Sequence, residues 1–219
     1  MRGPAIAVVG GGVYAPRLCA LLSCAIGGGT IRLHARRPER LRRIAAYAAT
    51  RVERHWEVSA SPSLEGCVDG ADVIVLLVRI GGLAARAHDE RFPEAFGLVG
   101  DEGLGPGGFA NGFRSVPALA TMARTIRRLS PRALVFNLVA PLGLTTRLLL
   151  DEGLPVLGVC ELPATTLRAL AGGAGEDVRF RYAGLNHLGW FWDVRRGDLD
   201  LVAAAVERGL ADGETVARF

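Results

Sequence analysis

AIAVVGGGVYAPRLC, residues 5–19, decides the fold of this chain. Ala5 to Val9 is a short apolar run rich in β-branched side chains, the composition of a buried strand. Three glycines follow at once, and then LCALLSCAI, an apolar stretch without glycine or proline. The order is strand, tight turn, helix. Gly10, Gly12 and Ala15 fit the G-x-G-x-x-A fingerprint of dinucleotide-binding turns. Glycine lets backbone amides approach a pyrophosphate, and a helix start offers unpaired N–H groups at the positive end of its dipole. Pro16 suits a first helical turn. Gly10, Gly11, Gly12 and Tyr14 are therefore the candidate nucleotide contacts. A glycine bend that binds nothing remains the alternative on these residues alone.

Outward from this turn the pattern alternates. TIRLHA (30–35) reads as a strand, the 38–55 stretch as a helix opened by Pro38, and WEVSA (56–60) as a third strand. ADVIVLLV (71–78) is apolar throughout, as in a parallel sheet covered on both faces. Residues 79–112 are rich in glycine and charge and carry no clear period, so they read as a long irregular and functional segment. A helix over 116–130, a strand over 132–139, a helix over 142–153 and a strand over 155–160 follow. The alternation predicts an α/β fold, a Rossmann-like doubly wound parallel sheet. From Glu161 the rhythm changes to a short helix at 164–172, two aromatic-rich antiparallel strands whose apolar residues are expected in a core, and an amphipathic helical tail. The expected division is a dinucleotide-binding domain, 1–160, and the start of a smaller α+β domain for substrate and metal, 161–219.

Half of the 219 residues are hydrophobic, enough for a sizeable core. No apolar run is long enough to span a bilayer. The amino terminus reads straight into a strand rather than a signal peptide, and four irregularly spaced cysteines make no disulfide framework. A cytoplasmic setting and no membrane partner are expected. The net charge is +4, and lysine and glutamine are both missing. That excludes Schiff-base and lysine general-base chemistry. Arginine forks suit phosphates and carboxylates. The basic cluster ARRPERLRR (35–43) lacks the aromatic platforms of a nucleic-acid surface, and no nucleic-acid partner is expected. The second strand ends in LHARR, where a fold that prefers NAD places Asp or Glu. Arg36 or Arg37 there leaves NADP open as the ligand.

From residue 76 a longer pattern emerges. LLVRIGGLAARAHDERFPEAFGLVGDEGLGPGGFANGFRSVP resembles the R-x-G-G-x-x-A-R…D-E…G-Q-E-T…R-[TS]-x-P block of glycoside hydrolase family 4, the NAD- and metal-dependent 6-phospho-glycosidases. GGGVYAP is similar to that family's opening G-G-G-S-x-x-T-P. NLVAPLG partly matches its N-x-x-N-P-x-G, GVCELP its G-L-C-[ND]-x-P, and AGLNHLGW its G-L-N-H. The last segment looks nearest to the 6-phospho-β-glucosidase branch. The resemblance spans residues 5 to about 195.

The resemblance implies an unusual hydrolysis of a 6-phospho-β-glucoside. NAD⁺ takes hydride from C3 of the sugar, and the ketone acidifies the C2 proton. A divalent metal, typically Mn²⁺, holds the C2 and C3 oxygens; the C1 substituent leaves, water adds, and NADH returns the hydride. Such enzymes stand apart from the two-carboxylate scheme. The resemblance places Cys160 and His187 on the metal, Asn137 on the nicotinamide ribose, and Arg79, Arg91 and Asn186 around the sugar phosphate or hydroxyls. Four positions depart from the family's pattern. Ala140 stands for an asparagine that holds substrate hydroxyls, and Asp101 for a glutamine. Glu161 stands for Asn or Asp after the cysteine and is the candidate acid. The tyrosine serving the family as base falls beyond residue 219 of its pattern. Two other readings compete: a catalytically degenerate nucleotide-binding or regulatory relative, and an NAD(P)-dependent dehydrogenase of another hydroxy compound with His187 as base. A homo-oligomer is expected, because an unfinished second domain leaves apolar surface uncovered.

Overall fold

The computed structural model describes residues 3–173, 177–185 and 187–207. They fall into two compact units, Met1–Val159 and Cys160–Phe219. In the first unit, β1 (Ala5–Gly10), β2 (Gly29–His34), β3 (Trp56–Ser61), β4 (Val73–Leu77), β5 (Leu134–Asn137) and β6 (Val156–Gly158) form one sheet. Its order is β3-β2-β1-β4-β5-β6, with every pair parallel. This is the Rossmann order, and the expected doubly wound fold is present. The strand order reverses between β1 and β4, where Gly10 pairs with Leu77. Ligands of such sheets bind in the crevice at the carboxyl ends of the strands at that reversal.

The alternation of β1 divides the core. Ala7 and Val9 face one side with Ile74, Leu76 and Val135. There they meet α3 (Leu64–Val68), α5 (Gly105–Leu129) and α6 (Leu142–Asp151), through Cys67, Leu119, Ile126 and Leu149. Ile6 and Val8 face the other side with Ile31 and Leu33, under α1 (Ala15–Ala25) and α2 (Pro38–Ala49). Two buried faces explain why β1 and β4 are apolar at every position rather than at alternate ones.

Three sequence expectations are corrected. The helix expected over 38–55 stops at Ala49, where the Thr50 hydroxyl turns back to donate to the Tyr47 carbonyl at 2.8 Å. The 79–112 stretch is not irregular: α4 (Gly82–Arg91) and a 3-10 turn at Phe92–Phe96 lie within it. The helix expected to begin at 116 is α5, which starts at Gly105. Neither helix has an apolar stripe at this point. α4 buries only Asp89, and the first half of α5 buries Gly107, Gly108, Asn111, Gly112 and Ser115. The glycines are there for contact. A Cβ on Gly107 would stand 2.3 Å from the Asp89 carbonyl oxygen and 2.4 Å from that of Asp101. Close backbone approach overrides the poor helix propensity of glycine.

The second unit holds α7 (Leu162–Ala171), the antiparallel sheet β7 (Arg179–Leu185), β8 (Leu188–Arg196) and β9 (Leu199–Asp200), and α8 (Leu201–Ala205). The rest of the expected tail helix lies outside the described residues. Its core is small: Ala171, Val194 and Leu201, with Phe191 packed against them. A bulge sets this face. Arg181 pairs with Trp192 and Arg179 with Arg195, so β8 carries one extra residue, and Asp193 takes φ 50°. The extra residue brings Phe191 and Val194 to the same side. Trp190 and Trp192, expected in a core, are instead 61% and 44% exposed, because β8 turns only one face to the helices.

Candidate active site

In the first unit the site grows from the β1 turn. Gly10, Gly11 and Gly12 all have positive φ, at 95°, 82° and 49°. The first is sterically forced: a Cβ on Gly10 would stand 2.6 Å from the Leu77 carbonyl oxygen. That oxygen accepts from the Gly11 amide at 3.1 Å and pins the turn to β4. Gly12–Tyr14 is a 3-10 turn running into α1, with Val13 and Tyr14 exposed. The start of such a turn leaves its leading amides unpaired and accessible to an anion. Backbone that no side chain can replace, at the strand-order reversal, fits the pyrophosphate of a dinucleotide. Arg36 is exposed in the turn that follows β2.

A polar network lies beside this turn and was not singled out from sequence. Asp89 is fully buried, and its carboxylate pairs with the Arg114 guanidinium through both oxygens. Arg114 Nε donates to the Ile80 carbonyl at 3.2 Å, and a terminal nitrogen to Asn111 Oδ1 at 3.2 Å. Asn111 Nδ2 donates to the Glu102 carbonyl at 3.0 Å and to that of Ala140 at 3.1 Å. The 79–82, 101–104 and 138–141 loops are thus tied to α4 and α5 by three side chains. Asp89, Arg114 and Ser115 occupy the D-E and R-[TS]-x-P positions of the pattern. That match was the available signal, and hydrophobic periodicity gave none.

Arg79 forms a two-pronged ion pair with Glu102, which also lies 3.5 Å from Arg86. Glu102 thereby holds two arginines at the carboxyl edge of β4. The hydrogen bond to Glu90, with the Glu102 charge beside it, raises the pKa of Arg86 further. Arg91 does not join them. It is exposed at the far end of α4, about 14 Å along the helix at 1.5 Å per residue. Asp101 has a structural use: its Oδ1 accepts from the Gly103 amide and from Leu104 at 2.9 Å, which a carboxylate does as well as an amide.

Asn137, the residue expected at the ribose, lies at the end of β5. It has no exposed surface, and its Nδ2 donates to Thr145 at 2.9 Å and to Thr146 at 3.0 Å. Its Oδ1 accepts from the Val139 amide at 3.1 Å. Both donors are spent, so the side chain shapes the turn after β5.

In the second unit, Cys160 Sγ lies 3.4 Å from His187 Nε2. Cys160 is half-buried and immediately precedes Glu161, the N-cap of α7, whose side chain is exposed and caps nothing. His187 sits in the tight connection between paired Leu185 and Leu188, at φ 61°. Asn186 lies outside the described residues. A thiolate and an imidazole at about 2.3 and 2.0–2.1 Å from a tetrahedral ion stand about 3.5 Å apart, so the pair fits a shared cation. No cluster of three or more His, Cys, Asp or Glu occurs among the described residues. Among the described residues the pair thus offers two donors to a cation. The remaining cysteines differ. Burial pushes the Cys19 thiol up to about 11 and that of Cys67 up to about 12, whereas Cys24 is exposed. At pH 8, iodoacetamide should label Cys24 and Cys160 and spare Cys19 and Cys67, with Mn²⁺ slowing labelling of Cys160 alone. Peptide mass mapping reads all four sites.

The family 4 glycosyl hydrolase model matches residues 5–174. The chain belongs to glycoside hydrolase family 4. It is 34% identical over 167 residues to 6-phospho-alpha-glucosidase 1 of Lacticaseibacillus paracasei, covering 72% of this chain and 38% of that one. It is 33% identical over 148 residues to the 6-phospho-beta-glucosidase BglT of Thermotoga maritima, covering 65% and 35%. A solved structure of the 6-phospho-beta glucosidase from Thermotoga maritima, with manganese, NAD+ and glucose-6-phosphate, superposes with a TM-score of 0.82. Its identity is 30%, over 94% of this chain and 52% of that one. The chain spans about half or less of the length of these family 4 relatives. None of its described helices is long and apolar enough to cross a membrane.

Proposed function

We propose that this family 4 chain carries the nucleotide and metal parts of a 6-phospho-β-glucosidase. The observation that carries the reading is the Cys160–His187 pair at 3.4 Å, in a chain whose other unit presents a glycine turn at the strand-order reversal. When bound, the dinucleotide supplies reversible hydride acceptance at C3 of the sugar, and the divalent cation supplies Lewis-acid polarisation of the adjacent oxygens. The residues of the chain do the rest. Gly10–Gly12 admit a pyrophosphate to the backbone. Cys160 and His187 would hold the cation, and sugar oxygens would be its further ligands. Arg79 and Arg86 are held together by Glu102, and a sugar phosphate would compete with that carboxylate for their guanidinium groups. Glu161, next to Cys160 in the chain and exposed, is the candidate acid, which in its protonated form would give a proton to the departing oxygen.

The preference for the β-anomer is supported by the LNHLGW segment around His187. Cleavage of 4-nitrophenyl 6-phospho-β-glucoside and of its α-anomer by the purified chain, with dinucleotide, Mn²⁺ and a thiol reductant, tests it. The β-anomer should turn over faster, and omission of either cofactor should abolish release of nitrophenol. A faster α-anomer would reassign the specificity. Dinucleotide binding without any cleavage would favour the catalytically degenerate reading.

A further inference from the structure

We propose that the turn after β2 recognises a 2′-phosphate, so that the chain takes NADP in preference to NAD. The inference rests on the dinucleotide reading of the Gly10–Gly12 turn and adds which dinucleotide enters it.

Register locates the position that discriminates. His34, the last residue of β2, pairs with Val9, so the residues after it run beside the glycine turn. A fold of this order places a carboxylate there to accept from both ribose hydroxyls of NAD. Here the sequence is His34, Ala35, Arg36, Arg37. The His34 ring is engaged elsewhere, with Nδ1 3.0 Å from the Ser61 carbonyl oxygen. No carboxylate stands between His34 and Arg37.

Guanidinium groups converge instead. Arg37 is the N-cap of α2 in extended conformation, and Pro38 then sets the helix direction. Arg40 follows within the first turn of α2. Its terminal nitrogen lies 3.9 Å from where a Cβ on Gly12 would stand, so its charge hangs over the glycine turn. Between the two elements lies a cleft of about 650 Å³, lined among others by Val13, Arg37, Glu39, Arg40, Arg43 and Tyr47. Its walls are largely apolar, and three arginines and one glutamate contribute to them. Unlike Arg79, Arg86 and Arg114, which are bound to carboxylates, Arg36, Arg37 and Arg40 form no ion pair among the described residues. A 2′-phosphate carries about −1.5 to −2 charges and three acceptor oxygens. Arginine forks bind such a group through paired charge-assisted hydrogen bonds. Tyr47 and Val13 supply flat apolar surface for the attached adenosine.

Calorimetric titration of the purified chain with NADP⁺ and NAD⁺, and with 2′,5′-ADP and 5′-AMP as fragments, tests this without any turnover. NADP⁺ should bind about 10- to 100-fold more tightly than NAD⁺, the ratio expected of one or two charge-assisted contacts, and 2′,5′-ADP should exceed 5′-AMP by a similar factor. The double variant Arg37→Ala/Arg40→Ala should bring NADP⁺ down to the affinity of NAD⁺. Both side chains are exposed at a helix start, and an unchanged melting temperature checks the fold. NAD⁺ binding as tightly as NADP⁺ would overturn the inference and leave the dinucleotide reading standing. A preference for NADP⁺ that survives in the double variant would overturn the assignment to these arginines. No binding of any of the four would remove the dinucleotide reading and this inference with it.

Discussion

Cys160→Ser should weaken Mn²⁺ binding by about 100-fold or more, since even losing a partner of a ligand costs about 10- to 100-fold. A hydroxyl replaces a sulfur that stands 3.4 Å from the His187 ring, and a thiolate is the form that ligates a cation. Electron paramagnetic resonance of free Mn²⁺ reads the loss directly. The companion variant is His187→Gly. His187 holds φ 61°, a conformation that costs an L-residue about 1–2 kcal/mol and glycine almost nothing. This variant should therefore lose the metal while keeping or raising the melting temperature, which separates ligand loss from misfolding. An unaltered Mn²⁺ affinity in either variant would remove the metal assignment.

Arg114→Met should be among the most damaging changes to stability, at about 3–5 kcal/mol, the cost of leaving one buried partner unpaired. The Asp89 carboxylate has no exposed surface and would lose its counter-ion, while the Ile80 carbonyl and Asn111 lose their donor. At about 2–4 °C per kcal/mol for a chain of this size, the melting temperature should fall by about 6–20 °C. Asp89→Asn should cost less. Arg114 keeps 30% of its side chain exposed and can turn to water when the carboxylate is gone. Thermal unfolding of the two variants against the parent decides the order. Asp89→Asn proving the more damaging would contradict a network whose buried charge is the carboxylate.

The strands and the glycine turn were legible in the sequence because they obey simple physics. β1 and β4 are apolar at every residue since both faces of the sheet are covered, and Gly10 announces a turn that no Cβ can enter. The 79–115 region was not legible by the same means. Its helices bury Asp89, Asn111, Ser115 and glycines, and a period of apolar residues cannot be found where the contacts are polar or backbone. Only the match to a family pattern marked Asp89 and Arg114, and it did not say that they meet. The surroundings of Asn137 were not legible either: its place at a strand end invited a ligand contact, and its Nδ2 donates to Thr145 and Thr146, the fourth and fifth residues of α6. Cys160 and His187, 27 residues apart, carry no spacing rule that pairs them. Motif order brought both forward, and the fold of the second unit placed them in contact.

The most direct measurement is the cleavage of 4-nitrophenyl 6-phospho-β-glucoside in D₂O, with Mn²⁺ and dinucleotide present, followed by mass spectrometry and NMR of the sugar phosphate. Hydrolysis through transient oxidation at C3 exchanges the C2 proton with solvent, so deuterium should appear at C2 of the product, and omission of Mn²⁺ or dinucleotide should abolish release. A product without deuterium at C2, or cleavage that proceeds with neither cofactor, would contradict the assignment.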